Sequence, residues 1–139
     1  MAGRFVGDVE AEAAWRGLAE SEKAVLIDVR TQAEWSYVGI PDLASLKRRV
    51  ILIEWQSFPA GHRNPAFVEE VVAKGIGPGQ PIYLLCRSGV RSRAAAEALA
   101  LRGYTTYNIA DGFEGQLDPA GHRGTTTGWK VAGLPWTQS

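Results

Sequence analysis

Two apolar runs constrain this chain more than any other feature: Ala24 to Val29, broken only by Asp28, and Pro81-Ile82-Tyr83-Leu84-Leu85. A strand with one wet face alternates apolar and polar residues, whereas a strand that is apolar throughout must be covered on both faces. Each run has strand length, and segments with helical spacing lie between the runs. Strands alternating with helices predict a three-layer α/β domain, with a mainly parallel sheet between helices. A chain of 139 residues is most simply one such domain, large enough to bury a core without staples.

The remaining elements follow from local signals. Asp8 is expected to cap a helix from Val9 to Glu20 that turns Ala14, Trp15 and Leu18 inward. Thr31 should cap a short helical turn carrying Glu34 and Trp35. Val50 to Ile53 reads as a strand, and Lys47-Arg48-Arg49 before it as a solvated face. Asn64-Pro65 predicts a helix start, with Phe67, Val68, Val71 and Val72 inward and an end near Gly75. A later helix is predicted from Arg93 to Arg102 with the apolar stripe Ala94, Ala95, Ala98 and Leu99, stopped by Gly103. Thr105 to Ile109 reads as a further strand, and a glycine- and threonine-rich tail carries Trp129 and Trp136.

Charge and cysteine content narrow the function classes. Fifteen basic side chains balance fifteen acidic ones, so the chain has no global footprint for nucleic acid. Its start lacks an apolar signal region and no apolar run approaches about 18 residues, which predicts a cytoplasmic protein with no membrane partner. A single cysteine excludes an intramolecular disulfide, and no Cys/His spacing suits a metal. A reactive thiol with no internal partner fits a reducing compartment.

That cysteine opens the segment Cys86-Arg87-Ser88-Gly89-Val90-Arg91-Ser92, between the second apolar run and the helix from Arg93. Here a thiol sits at a strand end and meets a turn into a helix N-terminus, where backbone N–H groups converge. Arg87, Arg91 and Arg93 add positive charge, and Gly89 permits the positive φ of a tight loop. Both effects favour thiolate, which makes Cys86 the candidate nucleophile. Asp28 and Arg30 end a predicted parallel strand, the edge where α/β sheets place ligands, and are read as bracing the loop. Arg30 is expected to bind Glu34 or a backbone carbonyl. Among Trp35, Trp55 and Phe58, Trp55 is the preferred pocket residue. His62 and His122 lack the third group of a cysteine-protease arrangement.

Taken together, these motifs resemble the rhodanese domains, sulfurtransferases that carry sulfur as a cysteine persulfide. The resemblance rests on Asp28-Val29-Arg30 with Glu34-Trp35, on Gly39-Ile40-Pro41, on Cys86 to Ser92, on Gly112-Phe113-Glu114-Gly115 and on Gly133-Leu134-Pro135-Trp136. It spans residues 5–137 as one domain and implies a mainly parallel five-stranded sheet flanked by helices. It also implies a Cys86 persulfide, filled from thiosulfate or a related donor and emptied by a thiol or cyanide, with no metal and no organic cofactor. Arg91 is then assigned to sulfonate binding, and Arg87 to the entrance. Ser88, Gly89, Val90 and Ser92 supply the rest of the substrate-binding loop. The chain departs from the family's pattern at Asp42-Leu43-Ala44 and in a longer Arg48–His62 segment.

Two other readings use the same residues. A persulfide carrier for a specific partner protein would have the same loop, with that protein as sulfur acceptor, whereas a docking module for a partner protein commonly lacks the cysteine that this chain keeps. A cysteine phosphatase or arsenate reductase needs arginine at the seventh position, counting the cysteine as first. Here that position is Ser92, which implies a smaller cradle.

Overall fold

The computed structural model describes residues 3–138. Five parallel strands, β1 (Phe5–Val9), β2 (Val25–Asp28), β4 (Ile51–Leu52), β5 (Ile82–Leu85) and β6 (Thr106–Ile109), form one sheet in the order β1-β6-β5-β2-β4. The helices are α1 (Ala11–Glu20), α2 (Gln32–Val38), α3 (Phe67–Ala73) and α4 (Val90–Ala100). A second, two-stranded antiparallel sheet joins β3 (Ile40–Pro41) to β7 (Trp136–Thr137).

The apolar runs are covered on both sides, as their composition demands. Ile27 on β2 and Ile82 and Leu84 on β5 face one core layer with Phe67 and Val71 of α3 and Ala95, Ala96 and Leu99 of α4. Leu26, Tyr83 and Leu85 face the other layer, with Ala11, Ala14 and Leu18 of α1 and the tail residues Phe113 and Trp129. The period of two along each strand divides the apolar residues between two half-cores. Because β2 and β5 are parallel neighbours with Asp28 opposite Leu85, Arg30 and Cys86 leave the sheet side by side at its C-terminal edge.

Several local expectations change in the tertiary context. Residues 5–9 form the edge strand β1 paired to β6, so Asp8 is not a helix cap. Helix α1 starts at Ala11, whose N–H is capped from a distance by Asp111 Oδ1 at 2.9 Å. Asn64 Oδ1 accepts from Ala66 N–H at 3.0 Å, and α3 begins one residue later with Val72 exposed rather than inward. Lys47 and Arg49 are exposed as expected, but Arg48 is half-buried: it donates to the carbonyls of Leu18, Ser21 and Ala24 and satisfies the C-terminal end of α1. Helix α4 begins at Val90, three residues before the predicted Arg93, and buries Ser92, Ala95, Ala96 and Leu99 while Ala94 is exposed. That start moves Arg91 and Ser92 out of the loop and into the first turn of a helix.

Candidate active site

Cys86 follows β5 directly, and only 1% of its surface is exposed. Gly89 is the N-cap of α4 with φ 105°, and a Cβ there would meet Ala110 O at 2.3 Å. Only glycine fits this turn, and the turn aims the Gly89 N–H at Cys86 Sγ, 3.1 Å away. Ser92, one helical turn on and fully buried, sets its hydroxyl 3.2 Å from the same sulfur.

Outside donors take every carbonyl of the loop. Phe113 N–H donates to Cys86 O at 2.8 Å, and Glu114 and Gly115 N–H both donate to Arg87 O at 3.1 Å. Gln116 Nε2 donates to Ser88 O at 3.2 Å, and Asn108 Nδ2 to Gly89 O at 3.1 Å. Across a planar trans peptide the next N–H points away from the carbonyl. With the carbonyls of Cys86 to Gly89 held outward, the N–H groups of Arg87 to Val90 therefore face the opposite, inner side. Such a nest of amides suits a sulfur anion. Gly112 makes the close approach possible, since a Cβ at its φ of 67° would lie 2.3 Å from Arg87 O.

Two carboxylate–guanidinium pairs flank the loop. Asp28 and Arg30 are both fully buried and joined by Nη2–Oδ2 at 2.7 Å and by Nε to both carboxylate oxygens. Arg30 Nη2 also donates to Gly39 O at 2.7 Å, and the guanidinium lies 4.3 Å above the Phe113 ring. Of the two partners expected for Arg30, the structure selects a backbone carbonyl and adds Asp28. Glu34 instead binds Arg91 through two contacts of 2.6 and 2.9 Å. Burial alone would raise the Glu34 carboxyl. The bond and charge from Arg91, with the Thr31 N–H, outweigh burial and hold it below its ordinary value. The same bond to Glu34 raises Arg91 above its ordinary value against the opposing effect of burial. The Thr31–Glu34 capping box fixes the carboxylate at the start of α2.

Above this pair opens a groove of about 530 Å³, lined by Glu34, Tyr37, Phe58, Arg87, Arg91 and Glu114 among others. Tyr37 and Phe58 are 81% and 68% exposed at its mouth, and Arg87 is exposed beside them. Trp55 is not a groove wall: it packs in the core against Phe67, its ring covered by Arg63 at 4.6 Å, and Phe58 takes the expected place. Val90 points its side chain to solvent. His62 and His122 are exposed. Sequence reasoning missed Asn108, a buried amide on β6 that reaches both Gly89 and Ser92.

A strand–cysteine–amide-nest–helix unit at the C-terminal edge of a parallel sheet narrows the relatives to be expected. The family model described as STR4 middle domain matches residues 6–139, nearly the whole chain. The chain belongs to the rhodanese-like family. Other proteins resemble the chain in sequence and in structure. The crystal structure of Rv0390 from M. tuberculosis is 47% identical, covering 98% of this chain and 100% of that one, with a TM-score of 0.89. An uncharacterized protein of Rickettsia prowazekii is 39% identical over 88% of this chain and 90% of its own length. The thiosulfate sulfurtransferase GlpE of Actinobacillus succinogenes is 28% identical over 92% of this chain and 87% of its own length. Relatives named sulfurtransferases point to sulfur transfer at the level of the family.

Proposed function

We propose that the chain is a rhodanese-type sulfurtransferase that moves sulfane sulfur from thiosulfate, or a related donor, through a Cys86 persulfide to a thiol or cyanide. The observation that carries the reading is the cradle around Sγ, with the Gly89 N–H at 3.1 Å and every loop carbonyl from Cys86 to Gly89 turned outward. The Cys86 thiolate attacks the outer sulfur of the donor. A new S–S bond forms, and the bond to the leaving group breaks with its electron pair on that group. The acceptor nucleophile then takes the outer sulfur and returns the thiolate, a double displacement. The inner amides stabilise the anion at each stage. A nucleophile with 1% exposure favours an electrophile that presents one protruding atom, such as a sulfane sulfur. A phosphorus ringed by oxygens fits this cradle poorly, as does the absence of arginine at Ser92.

Intact mass after incubation with thiosulfate, before and after cyanide, tests the reading. The expected result is gain of one sulfur atom, removed again by cyanide, and no gain in Cys86→Ser. A folded, reduced protein that gains no sulfur from thiosulfate or from a persulfide donor overturns it. A second reading, a persulfide carrier for a partner protein, draws support from the exposed Tyr37 and Phe58 at the groove mouth. Turnover with a small thiol favours the enzyme, and transfer that requires a protein acceptor favours the carrier. A cytoplasmic site of action fits the unpaired thiol, and no helix among the described residues is long and apolar enough to cross a membrane.

A further inference from the structure

The buried polar groups beside Cys86 contain an imbalance of one proton. Ser92 Oγ lies 3.2 Å from Cys86 Sγ and 2.5 Å from Asn108 Oδ1. Asn108 is itself buried, and its amide orientation is determined by its neighbours. Its Nδ2 reaches Gly89 O at 3.1 Å and Asp8 Oδ1 at 3.0 Å, two groups that only accept. Both amide protons are thereby used, and Oδ1 must face Ser92 as an acceptor. A serine hydroxyl has one proton, and here it has two claimants.

The consequence depends on the state of the sulfur. As a thiol, Cys86 S–H donates to Ser92 Oγ and Ser92 O–H donates to Asn108 Oδ1, so every group is satisfied. As a free thiolate, Sγ competes with Asn108 for the Ser92 proton, and one buried acceptor is left without it. As a persulfide, the charge moves to the outer sulfur. Sγ becomes a neutral two-bonded sulfur, a weak acceptor, and Ser92 returns to Asn108. The network is satisfied before ionisation and after loading, and frustrated only between them.

Resting on the persulfide reading above, we propose that Asn108 is a positioning residue that helps Cys86 hold its loaded sulfur. By holding the Ser92 proton, it destabilises the free Cys86 thiolate relative to the persulfide. Discharge of the persulfide must regenerate that thiolate as its leaving group, so raising the energy of the free thiolate slows discharge and lengthens the life of the persulfide. The attack forms the Sγ–S bond and breaks the bond to the leaving group, which departs with its electron pair, so no oxidant is required.

The test reads the thiolate directly, by its ultraviolet absorbance at neutral pH and by its rate of alkylation. Asn108→Leu removes the competing acceptor at similar size, so Ser92 donates to sulfur alone. The thiolate fraction then rises about tenfold, the worth of one hydrogen bond to a charged group. In a Ser92→Ala background the same Asn108→Leu change leaves the thiolate fraction where it was, because no contested proton remains. A general loosening of the site would act in both backgrounds. An equal rise in both, or no rise with Ser92 present, overturns the proposal. Should Asn108→Leu not fold, Asn108→Val carries the same test, since it also lacks the acceptor and suits a strand. These arms use no sulfur donor, so failure of the persulfide reading appears only in the mass measurement and is separable from failure of this one.

Discussion

Asp28–Arg30 and Glu34–Arg91 join the same chemical groups, with carboxylates only a few residues apart at the end of β2 and in α2, yet their surroundings differ. The first pair is fully buried, under the Phe113 ring and against Gly39 O. The second keeps about a fifth of each side chain exposed, 21% for Arg91 and 22% for Glu34, at the edge of the groove. A buried pair contributes little net stability when intact but is costly to halve, because the remaining charge has no water and no partner. A rim pair costs little to break, and here both partners line the groove. The buried pair is part of the frame, and the rim pair faces the groove.

The largest expected effect tests the frame. Arg30→Met strands Asp28 and should lower stability by about 3–5 kcal/mol, measured by urea unfolding. The double change Asp28→Leu, Arg30→Met should recover much of that loss. A single variant as mild as a rim substitution would break the distinction between the two pairs.

Arg91→Ala should reverse the balance of effects. Thiosulfate loading falls by at least about tenfold, read as the rate of persulfide formation, while stability falls by less than about 1 kcal/mol. An unchanged loading rate would make Arg91 only a brace for Glu34.

The third effect is smaller and depends on pH. The Glu34 carboxyl is held below its ordinary value of 4.5 in the folded state, so folding favours the ionised form. A depressed folded value gives stability that is complete above the unfolded pKa and lost as pH falls through the folded one. The stability difference between the protein and Glu34→Gln should therefore stay constant down to about pH 5 and shrink below it. A difference that instead grows in acid would mean that the pair does not stabilise the ionised carboxylate. The smallest effect is at Phe58, whose replacement by Ala should change stability by no more than about 0.5 kcal/mol. A larger loss on unfolding would put Phe58 in the frame and not on the open wall.

The legible parts of this molecule are those whose cause is local. The runs at Ala24–Val29 and Pro81–Leu85 became β2 and β5, and Thr31 capped α2, because composition and capping act within a few residues. Strand β1 was not legible, since its pairing partner lies about a hundred residues away at Thr106–Ile109. Trp55 and Phe58 exchanged their expected roles because neighbouring aromatic residues in an irregular segment carry no periodicity to separate inside from outside. Nothing local marks Asn108 either: an asparagine in a short strand gains its meaning from Ser92 and Gly89, 16 and 19 residues away.

By itself the sequence determined the covered parallel sheet, the single cysteine at its C-terminal edge and the glycine that turns the loop. Each follows from residue type and immediate neighbours, through burial and allowed backbone angles. The tertiary structure decided which charge meets which, with Glu34 reaching Arg91 across 57 residues and Asp28 taking Arg30. It also brought Asn108 to the one proton of Ser92. Pairings of this kind depend on the sheet order β1-β6-β5-β2-β4, which sets β6 beside the cysteine strand. Polar partners are chosen by distance in space, and strand order, not the spacing of residues along the chain, sets that distance.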